Sequence, residues 1–484
     1  MHTELRSVNL TRTAPAVQAL RRRFEGALLL PGDAAYDDAR LGWDRTIDSH
    51  PAVLAVAAST RDIRTAVLVA REYGLPLAVQ STGHGSIRAA DGALLLKTTG
   101  LAHVEIGAER KVATVGPGAV WADVNRAAAP FGLGSLAGRC STVGVTGYTL
   151  GGGTGWLSRR FGYAADSVLR AEVVTAEGEL ITATEHDHPD LFWALRGGGG
   201  NFGIVTSLQF QLFETPTIFA GMTFHPLERA TDLFTAYQDW APNEPDETTT
   251  AVLVMRLPPA PSIPESLRGR QVLALRAFHL GNATAGQRVL APLLDAAGPA
   301  LFDGLAVRPF PESSTAANGP DVPPIAIRQY VEFFHDLPAT ALAGAVNSAA
   351  EANSPLAFVE LRHWGGAMAR PAANDGPAGA RDVPFSVMSV APYMAPDRGP
   401  VDAHVDRLTE QLAPHATGQA FLNLLHDPTR TRDAFTPADY RRLVDVKSRW
   451  DPDNLFRLHH NIPPHSIPLH NNALHNTPHH TEHS

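Results

Sequence analysis

A histidine framed by glycines follows directly on an apolar run that begins at Leu77. It lies in the segment Gln80-Ser81-Thr82-Gly83-His84-Gly85-Ser86. Successive small residues let backbone N–H groups converge on an anion such as a pyrophosphate. Glycine on both sides of His84 indicates that a bulky group approaches the backbone there. From these residues alone, His84 is either an ordinary loop or core histidine or a residue that contacts a ligand.

The only cysteine of the chain lies near the start of a second glycine-rich segment. Residues 138–155 contain seven glycines and five serine or threonine hydroxyls. This composition predicts a loop around a flat, phosphate-bearing ligand rather than a packed helix or strand. Cys140 is either a small buried hydrophobic residue or a nucleophile, and the neighbouring Arg139 would favour its thiolate form.

A third glycine-rich run, Arg196–Gly203, matches the pattern GxGxxG at Gly198, Gly200 and Gly203. A dinucleotide-binding fingerprint follows a strand and opens a helix. Here a predicted helix precedes the run and a predicted strand follows it. The run therefore indicates a helix end at which the backbone can touch a ligand, rather than an NAD site.

The elements that must position these segments alternate between strands and helices up to about residue 215. Apolar runs and turn residues predict strands or hairpin arms at Leu54–Ser59, Leu77–Ser81, Leu94–Thr98, Val104–Ile106, Val112–Val115, Leu169–Thr175, Leu180–Thr184 and Ile204–Phe213. Helices are predicted at Arg61–Tyr73 and Asp190–Arg196, and an amphipathic surface helix at Ala16–Phe24. Several hairpins with few helices indicate an α+β fold rather than a regular βαβ repeat.

The pattern of predicted strands and helices changes after Pro216. Strands are predicted at Val252–Leu257, Val272–Ala277, Ala357–Leu361 and Phe385–Val390, and helices at Ala230–Trp240, Ala285–Ala297 and Ile325–Phe334. This pattern predicts a second domain, an open antiparallel sheet flanked by helices. A further helix that ends near Trp450 and an extended segment to Pro464 follow. The predicted boundaries are 1–215, 216–420, 421–465 and a disordered His- and Asn-rich tail at 466–484.

Composition narrows the class of protein. The 484 residues carry a formal net charge of −9, with 44% hydrophobic and 18% charged residues, which predicts a folded protein with more than one core. The acidic balance argues against nucleic acid as a partner. No apolar run is long enough for a bilayer span. A lone cysteine allows no intrachain disulfide and fits the cytoplasm. The histidines of the tail have no framework to hold them, so no metal site is predicted.

Taken together, four ordered blocks resemble the berberine-bridge-enzyme-like oxidases, which carry a vanillyl-alcohol-oxidase (PCMH) type FAD domain. The blocks are Ser81–His84, Gly138–Gly155, Gly197–Thr206, and Tyr440–Phe456 with Asn461–Pro464. The resemblance implies an FAD domain of two α/β subdomains, built from the N-terminal part and the C-terminal segment, with the substrate domain inserted between them.

The resemblance also implies a bicovalently held FAD, with His84 bonded to the 8α-methyl carbon and Cys140 to C6 of the flavin. Further cofactor contacts implied by the same blocks are Gln80, Ser81, Thr82, Gly83, Gly85, Ser86, Gly138, Val143, Gly144, Thr146, Gly147, Gly152, Gly153, Gly155, Ala165, Asp166, Gly203, Ile204, Val205 and Asn461. Two tethers would fix the ring without relying on packing and permit an open site for bulky substrates.

The implied reaction is oxidation of a hydroxyl- or amine-bearing small molecule, a sugar or secondary metabolite, by hydride transfer to flavin N5 with O2 reduced to hydrogen peroxide. Many members of this family have a tyrosine where this chain has Phe421, and phenylalanine cannot accept a proton. Other candidate bases are Glu360, His363, Tyr330 and Tyr393. Glu360 and His363 are three residues apart, so on a strand they face opposite sides and at most one of them lines the pocket.

Three other functions remain open from the sequence. The protein could be a flavin dehydrogenase that does not use O2, a non-redox cyclase or scaffold on the same fold, or an NAD-dependent dehydrogenase. In every case the expected partner is a small molecule rather than a nucleic acid or a membrane, and the expected state is a monomer or homodimer.

Overall fold

A computed structural model describes residues 2–316, 319 and 321–467. Helices and strands are mixed along the chain, which confirms the predicted α+β class. The α-helices are His2–Arg23, Tyr36–Ala39, Thr60–Tyr73, Trp121–Ala128, Val145–Leu150, Ser158–Phe161, Pro189–Leu195, Ala230–Trp240, Ala283–Ala297, Ser313–Ala316, Ala339–Ala350, Gly399–Leu412 and Pro437–Trp450. The predicted tail lies outside the described residues from 468 onward.

A four-stranded sheet carries the first glycine-rich loop. Its strands are, in spatial order, Ala27–Leu29, Val53–Val56, Leu94–Lys97 and Leu77–Gln80, and the last three run parallel. The helix Thr60–Tyr73 makes the crossover between two of these strands. It begins where the Ser59 side chain accepts a hydrogen bond from the Asp62 N–H, and it ends at Gly74 in the left-handed conformation. The loop with His84 therefore leaves the carboxyl end of a buried strand.

A five-stranded antiparallel sheet carries the other two glycine-rich segments. Its spatial order is Val104–Gly107, Val112–Val115, Ile204–Gln211, Val168–Val174 and Leu180–Ala183. Short strands at Leu133–Gly134 and Phe213–Glu214 pair beside it. Both predicted hairpins are present, and the run at 196–203 connects the helix Pro189–Leu195 to the strand Ile204–Gln211 as expected.

Residues 217–392 build one large sheet of eight strands. The strands are Thr217–His225, Thr248–Arg256, Gln271–His279, Phe302–Asp303, Ala306–Pro309, Ile327–Phe334, Phe358–His363 and Phe385–Pro392, and their pairings are antiparallel. Apolar side chains of one sheet face form a core with four helices, Ala230–Trp240, Ala283–Ala297, Ala339–Ala350 and Gly399–Leu412. The opposite face is left for the site described below.

The prediction of a helix at Ile325–Phe334 is wrong. Residues Ile327–Phe334 form a strand that pairs along its whole length with Phe385–Pro392. Side chains of the strand alternate between two packing environments, since Phe333 joins one apolar cluster and Phe334 another. Alternating burial on a paired strand overrides helix propensity in such a short apolar segment.

The chain returns to its N-terminal half after residue 420. The helix Pro437–Trp450 ends where predicted, and Leu443 and Val446 pack into the same core as the five-stranded sheet. Leu455 and Phe456 pack into the core of the parallel sheet. The exact domain boundaries stay predictions. Within the described residues no helix combines the length and the apolar character required to cross a membrane.

Candidate active site

His84 and Cys140 lie 56 positions apart in the sequence and meet at one hydroxyl group. Thr142 Oγ1 is 3.1 Å from His84 Nε2 and 3.1 Å from Cys140 Sγ. Both side chains are partly exposed rather than buried in a core. The structure therefore brings the imidazole and the thiol to neighbouring positions on the rim of one site.

Two close backbone approaches fix the first loop. Gly83 has a φ of +79°, in the left-handed region, and a Cβ at this position would lie 2.5 Å from Cα of Gly42. Only glycine fits there. Trp43 then donates its backbone N–H to the Thr82 carbonyl oxygen at 2.9 Å. Its indole stacks on the His84 ring at 4.4 Å between centroids and 18° between planes. The imidazole is therefore held by Trp43 on one face and by Thr142 at Nε2.

Burial moves the pKa values of the two residues in opposite directions. Desolvation lowers the pKa of His84 to about 4, so its imidazole is neutral at physiological pH. Desolvation raises the pKa of the Cys140 thiol above its usual range, although Thr142 acts in the other direction. The expectation that Arg139 favours the thiolate is therefore wrong. The Arg139 guanidinium instead pairs with Glu360, with 2.6 Å between Nη1 and Oε2.

The segment 138–155 is more ordered than its composition predicts. A short helix, Val145–Leu150, stands where a loop was expected, because Val145 and Leu150 are buried in the core under the five-stranded sheet. Gly144 faces the first loop, and a Cβ there would lie 3.2 Å from Ser81 Oγ. The helix thus packs the second glycine-rich segment directly against the first.

Several buried polar atoms in these segments have no hydrogen-bond partner among the described residues. They include Ser81 Oγ, Thr146 Oγ1, His459 Nε2 and Asn461 Oδ1. Buried polar groups are normally satisfied, so such a group of orphans indicates a ligand with many polar atoms. Gly85 and Gly147 add open space, since a Cβ at either position meets nothing within 4 Å. This arrangement fits a dinucleotide cofactor with a flat ring.

The third glycine-rich run anchors the C-terminal segment. Asn201 donates from Nδ2 to the His460 carbonyl oxygen at 2.9 Å and accepts from the Ile462 N–H at 2.9 Å. Lys447 donates to the Asn201 carbonyl oxygen at 2.8 Å. These bonds bring His459 and Asn461 beside the N-terminal half of the molecule.

The remaining predicted cofactor residues occupy several places. Gln80 donates to Ser86 Oγ at 3.0 Å inside the first loop, and the backbone N–H of Ala165 donates to the Gly152 carbonyl oxygen at 2.9 Å. Asp166 is engaged elsewhere, because Arg381 pairs with both of its carboxylate oxygens. Three further predicted contacts place their side chains in or against the hydrophobic cores, namely Val143, Ile204 and Val205. The predicted glycines at which a Cβ would lie within 3 Å of a neighbouring atom are Gly138, Gly153, Gly155 and Gly203.

The candidate base Glu360 lies on the sheet face next to Cys140. Its Oε2 pairs with Arg139 and with Arg276, and its side chain is 1% exposed. These cations hold the pKa of the Glu360 carboxyl below its usual value despite the opposing effect of burial. A carboxylate in this state is a weak proton acceptor at neutral pH.

The candidate bases His363 and Tyr330 lie on the helix-covered face of the same sheet. His363 Nδ1 is 2.8 Å from Glu244 Oε2 and 3.0 Å from Arg159 Nη1, all of them buried. Tyr330 packs against the core beneath the four helices. Glu360 and His363 therefore face opposite sides of the strand, as their spacing predicts.

The fourth candidate base, Tyr393, lines a cavity of about 160 Å³ beside the first loop. Ser86 and His426 line the same cavity. Tyr393 donates its hydroxyl hydrogen to Asp402, and burial together with this bond raises its pKa to about 12. Burial lowers the pKa of His426, which keeps that imidazole neutral.

Phe421 occupies a closed aromatic cluster. It is 1% exposed, and its ring centroid lies 5.0 Å from that of Tyr163 and 5.3 Å from that of Trp364. A Cβ on Gly152 would lie 2.9 Å from the Phe421 ring. Phenylalanine thus serves here as packing beneath the second glycine-rich segment.

Sequence reasoning missed the roles of Thr142, Trp43, Arg276, Arg362 and His459. The sequence does carry a signal for the two arginines, because each is a charged residue within or directly after an apolar strand segment. Arg276 lies within Leu273–Phe278, and Arg362 directly follows Phe358–Leu361. No sequence signal marks Trp43 or Thr142, because their contacts form only when separate loops meet. Within the described ranges, no group of three or more His, Cys, Asp or Glu side chains is placed to hold a metal ion.

Comparisons with known proteins agree with this geometry. Residues 51–184 match the family described as FAD binding domain, and residues 420–463 match the family described as berberine and berberine like. (R)-6-hydroxynicotine oxidase of Paenarthrobacter nicotinovorans is 28% identical over 470 residues, which cover 91% of this chain and 97% of that protein.

Solved structures share the fold. The crystal structure of 6-hydroxy-D-nicotine oxidase from Arthrobacter nicotinovorans superposes with a TM-score of 0.80 at 26% identity, covering 91% of this chain and 98% of that chain. Berberine bridge enzyme from Eschscholzia californica superposes with a TM-score of 0.80 at 21% identity, covering 93% and 99% of the two chains.

Proposed function

We propose that this chain, which carries matches to the FAD binding domain and to the berberine-like segment, is an oxidase whose FAD is bonded to both His84 and Cys140. Its substrate is a small molecule that carries a hydroxyl or amine group. The single observation that carries the proposal is the meeting of the two side chains at the Thr142 hydroxyl.

The local geometry suits two attachments. Thr142 engages Nε2 of His84, so Nδ1 is the ring nitrogen turned away from that hydroxyl. Neutral imidazole is the nucleophilic form, and burial supplies it. The Trp43 indole stacked on the ring restricts its rotation. For Cys140, the thiol must lose its proton before it can act as a nucleophile, and Thr142 is the hydroxyl placed to stabilise the thiolate.

The residues around the two anchors fit the rest of the cofactor. Small residues of the first loop and the Val145–Leu150 helix leave room for the phosphates, and the orphan hydroxyls of Ser81 and Thr146 supply hydrogen bonds. His459 and Asn461 come from the C-terminal segment. Held by these residues, FAD would supply the redox chemistry of the proposed reaction, that is, acceptance of a hydride from the substrate and reduction of O2 to hydrogen peroxide.

The protein's own contribution is orientation and proton handling. Glu360 holds Arg139 and Arg276 in place and is not proposed as the proton acceptor, since its carboxylate is ion-paired. Of the residues that border the cavity beside Ser86, His426 has a neutral imidazole that can accept a proton, whereas the Tyr393 hydroxyl keeps its hydrogen and donates it to Asp402. We assign the substrate's departing proton to His426 rather than to position 421.

Acid precipitation of variants tests the attachment. The His84→Ala and Cys140→Ala single variants should each retain a yellow precipitate, because one bond remains, and the double variant should give a colourless one. His50→Ala, at a half-exposed surface histidine, is the matched control and should behave as wild type. Colour released by acid from the unaltered protein would contradict the proposal.

A substrate panel separates oxidase from dehydrogenase. Sugars and aromatic polyketides are added to the purified protein, and flavin bleaching without air is compared with peroxide formation in air. Bleaching with peroxide supports the oxidase. Bleaching with electron transfer to a dye but without peroxide would indicate a dehydrogenase, and a flavin that no substrate bleaches would favour the non-redox scaffold.

A further inference from the structure

Three arginines surround one carboxylate on the sheet face next to Cys140. Arg276 and Arg139 both pair with the same oxygen of Glu360, and Arg362 lies two positions further along the same strand, on the same face. The side chains of Arg276 and Arg362 are 5% exposed or less. Such burial is costly for charged groups unless counter-charges are present.

The charges of this arginine cluster do not balance. Among the described residues, Glu360 is the only carboxylate within ion-pair distance of Arg276, and none lies within that distance of Arg362. Burial and mutual repulsion lower the pKa of both arginines to about 10, so both stay protonated at neutral pH. Arg276 Nε is buried and has no hydrogen-bond partner in the described part of the chain. The cluster thus carries an excess of positive charge that a further anion would neutralise.

A small residue separates the two buried arginines. Ala251 stands opposite Arg276 on one neighbouring strand and opposite Arg362 on the other. Residues directly opposite each other on adjacent strands point to the same face and lie roughly 5 Å apart. The short alanine side chain therefore stands between the positions of two arginines, and a carboxylate that reached both guanidinium groups would be bound from both sides.

Apolar side chains continue the same face beyond Ala251. Leu253 and Ala274 are buried in an apolar cluster against which Phe224, Met255 and Phe358 pack while staying partly exposed. Leu253 stands opposite both Ala274 and Glu360, so this cluster adjoins the arginines directly. The face thus offers a cationic end and an apolar end side by side.

We propose that the substrate carries an acidic group, a carboxylate or its equivalent, which binds between Arg276 and Arg362 with help from Arg139, while its apolar body lies along Phe224, Met255 and Phe358. This inference rests on the proposed oxidase function and narrows its substrate class to organic acids with an apolar body. Glu360 acts as a positioning residue that holds two of the arginines.

Calorimetric titration of the holoenzyme with benzoate and 2-naphthoate, each compared with its uncharged amide, tests the inference. Each acid should bind at least about tenfold more tightly than its amide, because charge-assisted hydrogen bonds to arginine exist only for the acid. Arg362→Met should abolish this preference without weakening the amide. Arg308→Met, at an arginine on the strand Ala306–Pro309 remote from the cluster, is the control and should retain it.

Arg139→Met provides a second variant should Arg362→Met fail to fold, because Arg139 lies in a loop and is 20% exposed. It too should reduce the acid preference. The inference is overturned when no acid of the series binds more tightly than its amide, whether both bind or neither does. It is also overturned when Arg362→Met lowers the flavin reduction potential but leaves the acid preference intact, since the cluster would then serve the flavin's own negative charge.

The two proposals fail separately. A colourless acid precipitate from the unaltered protein contradicts covalent flavin, and the calorimetric comparison of acid and amide can still be made. A yellow precipitate with equal binding of acid and amide contradicts only the acidic substrate.

Discussion

Replacing Lys447 by methionine tests how the C-terminal segment is held against the FAD-binding half of the molecule. Lys447 and Asp451 form an ion pair in which both side chains are 0% exposed. The ammonium group also donates to the carbonyl oxygens of Asn201 and Phe456, at 2.8 and 2.9 Å. All three of its protons therefore have acceptors within the described structure.

The variant leaves the Asp451 carboxylate buried without its cation, and two carbonyl oxygens lose their donor. Breaking a buried pair by removing one partner costs about 3–5 kcal/mol. The free energy of unfolding, measured by urea denaturation, should fall by about that amount. The fall should be accompanied by reduced flavin content, because His459 and Asn461 are held through Asn201 and its neighbours.

Two further variants make this result specific. Lys447→Met combined with Asp451→Asn removes both charges and should be more stable than the single variant. Lys111→Met, at an exposed lysine paired with exposed Glu214, should leave the denaturation midpoint unchanged. A Lys447→Met protein that unfolds at the wild-type urea concentration would refute the reasoning about this contact.

Two other predictions concern the anchors and position 421. Attachment of FAD to apo-protein should rise with pH in both single variants but over different pH ranges. In Cys140→Ala it should persist down to about pH 5, since the His84 pKa is lowered to about 4, whereas in His84→Ala it should still be accelerating at high pH, since the thiol pKa is raised. Acid-stable colour against time measures both rates, and a rise over the same pH range in both variants would contradict the assigned burial. Phe421→Tyr should lower the free energy of unfolding, measured by urea denaturation, by about 1–3 kcal/mol, because the added hydroxyl would enter the closed cluster with Tyr163 and Trp364. An unchanged urea denaturation midpoint would show that the hydroxyl finds a hydrogen-bond partner.

The sequence was sufficient to predict elements whose local pattern matches their surroundings. The helix at residues 60–73 has a cap at Ser59 and a terminating glycine at Gly74, and the structure confirms it. The strand Ile327–Phe334 was mistaken for a helix, because its pairing with a strand nearly 60 residues later leaves no local signal.

The candidate site residues also divide into those that have a local sequence signal and those that have none. The glycine-rich composition around His84 and Cys140 marks both residues as candidates, and the structure brings them to one hydroxyl group. Thr142 and Trp43 could not be identified from the sequence, since their contacts depend on how three loops meet. The effect of Arg139 on Cys140 was misjudged for a related reason: adjacency in sequence does not show that the guanidinium turns towards Glu360 on the large sheet.

The most direct measurement is the mass of a tryptic digest of the purified protein. Cleavage at arginine places His84 in the peptide Glu72–Arg88 and Cys140 in the peptide Cys140–Arg159. A doubly bonded cofactor predicts one cross-linked species, with the mass of both peptides joined through a single FAD. Recovery of the two peptides as separate, unmodified species would contradict the account.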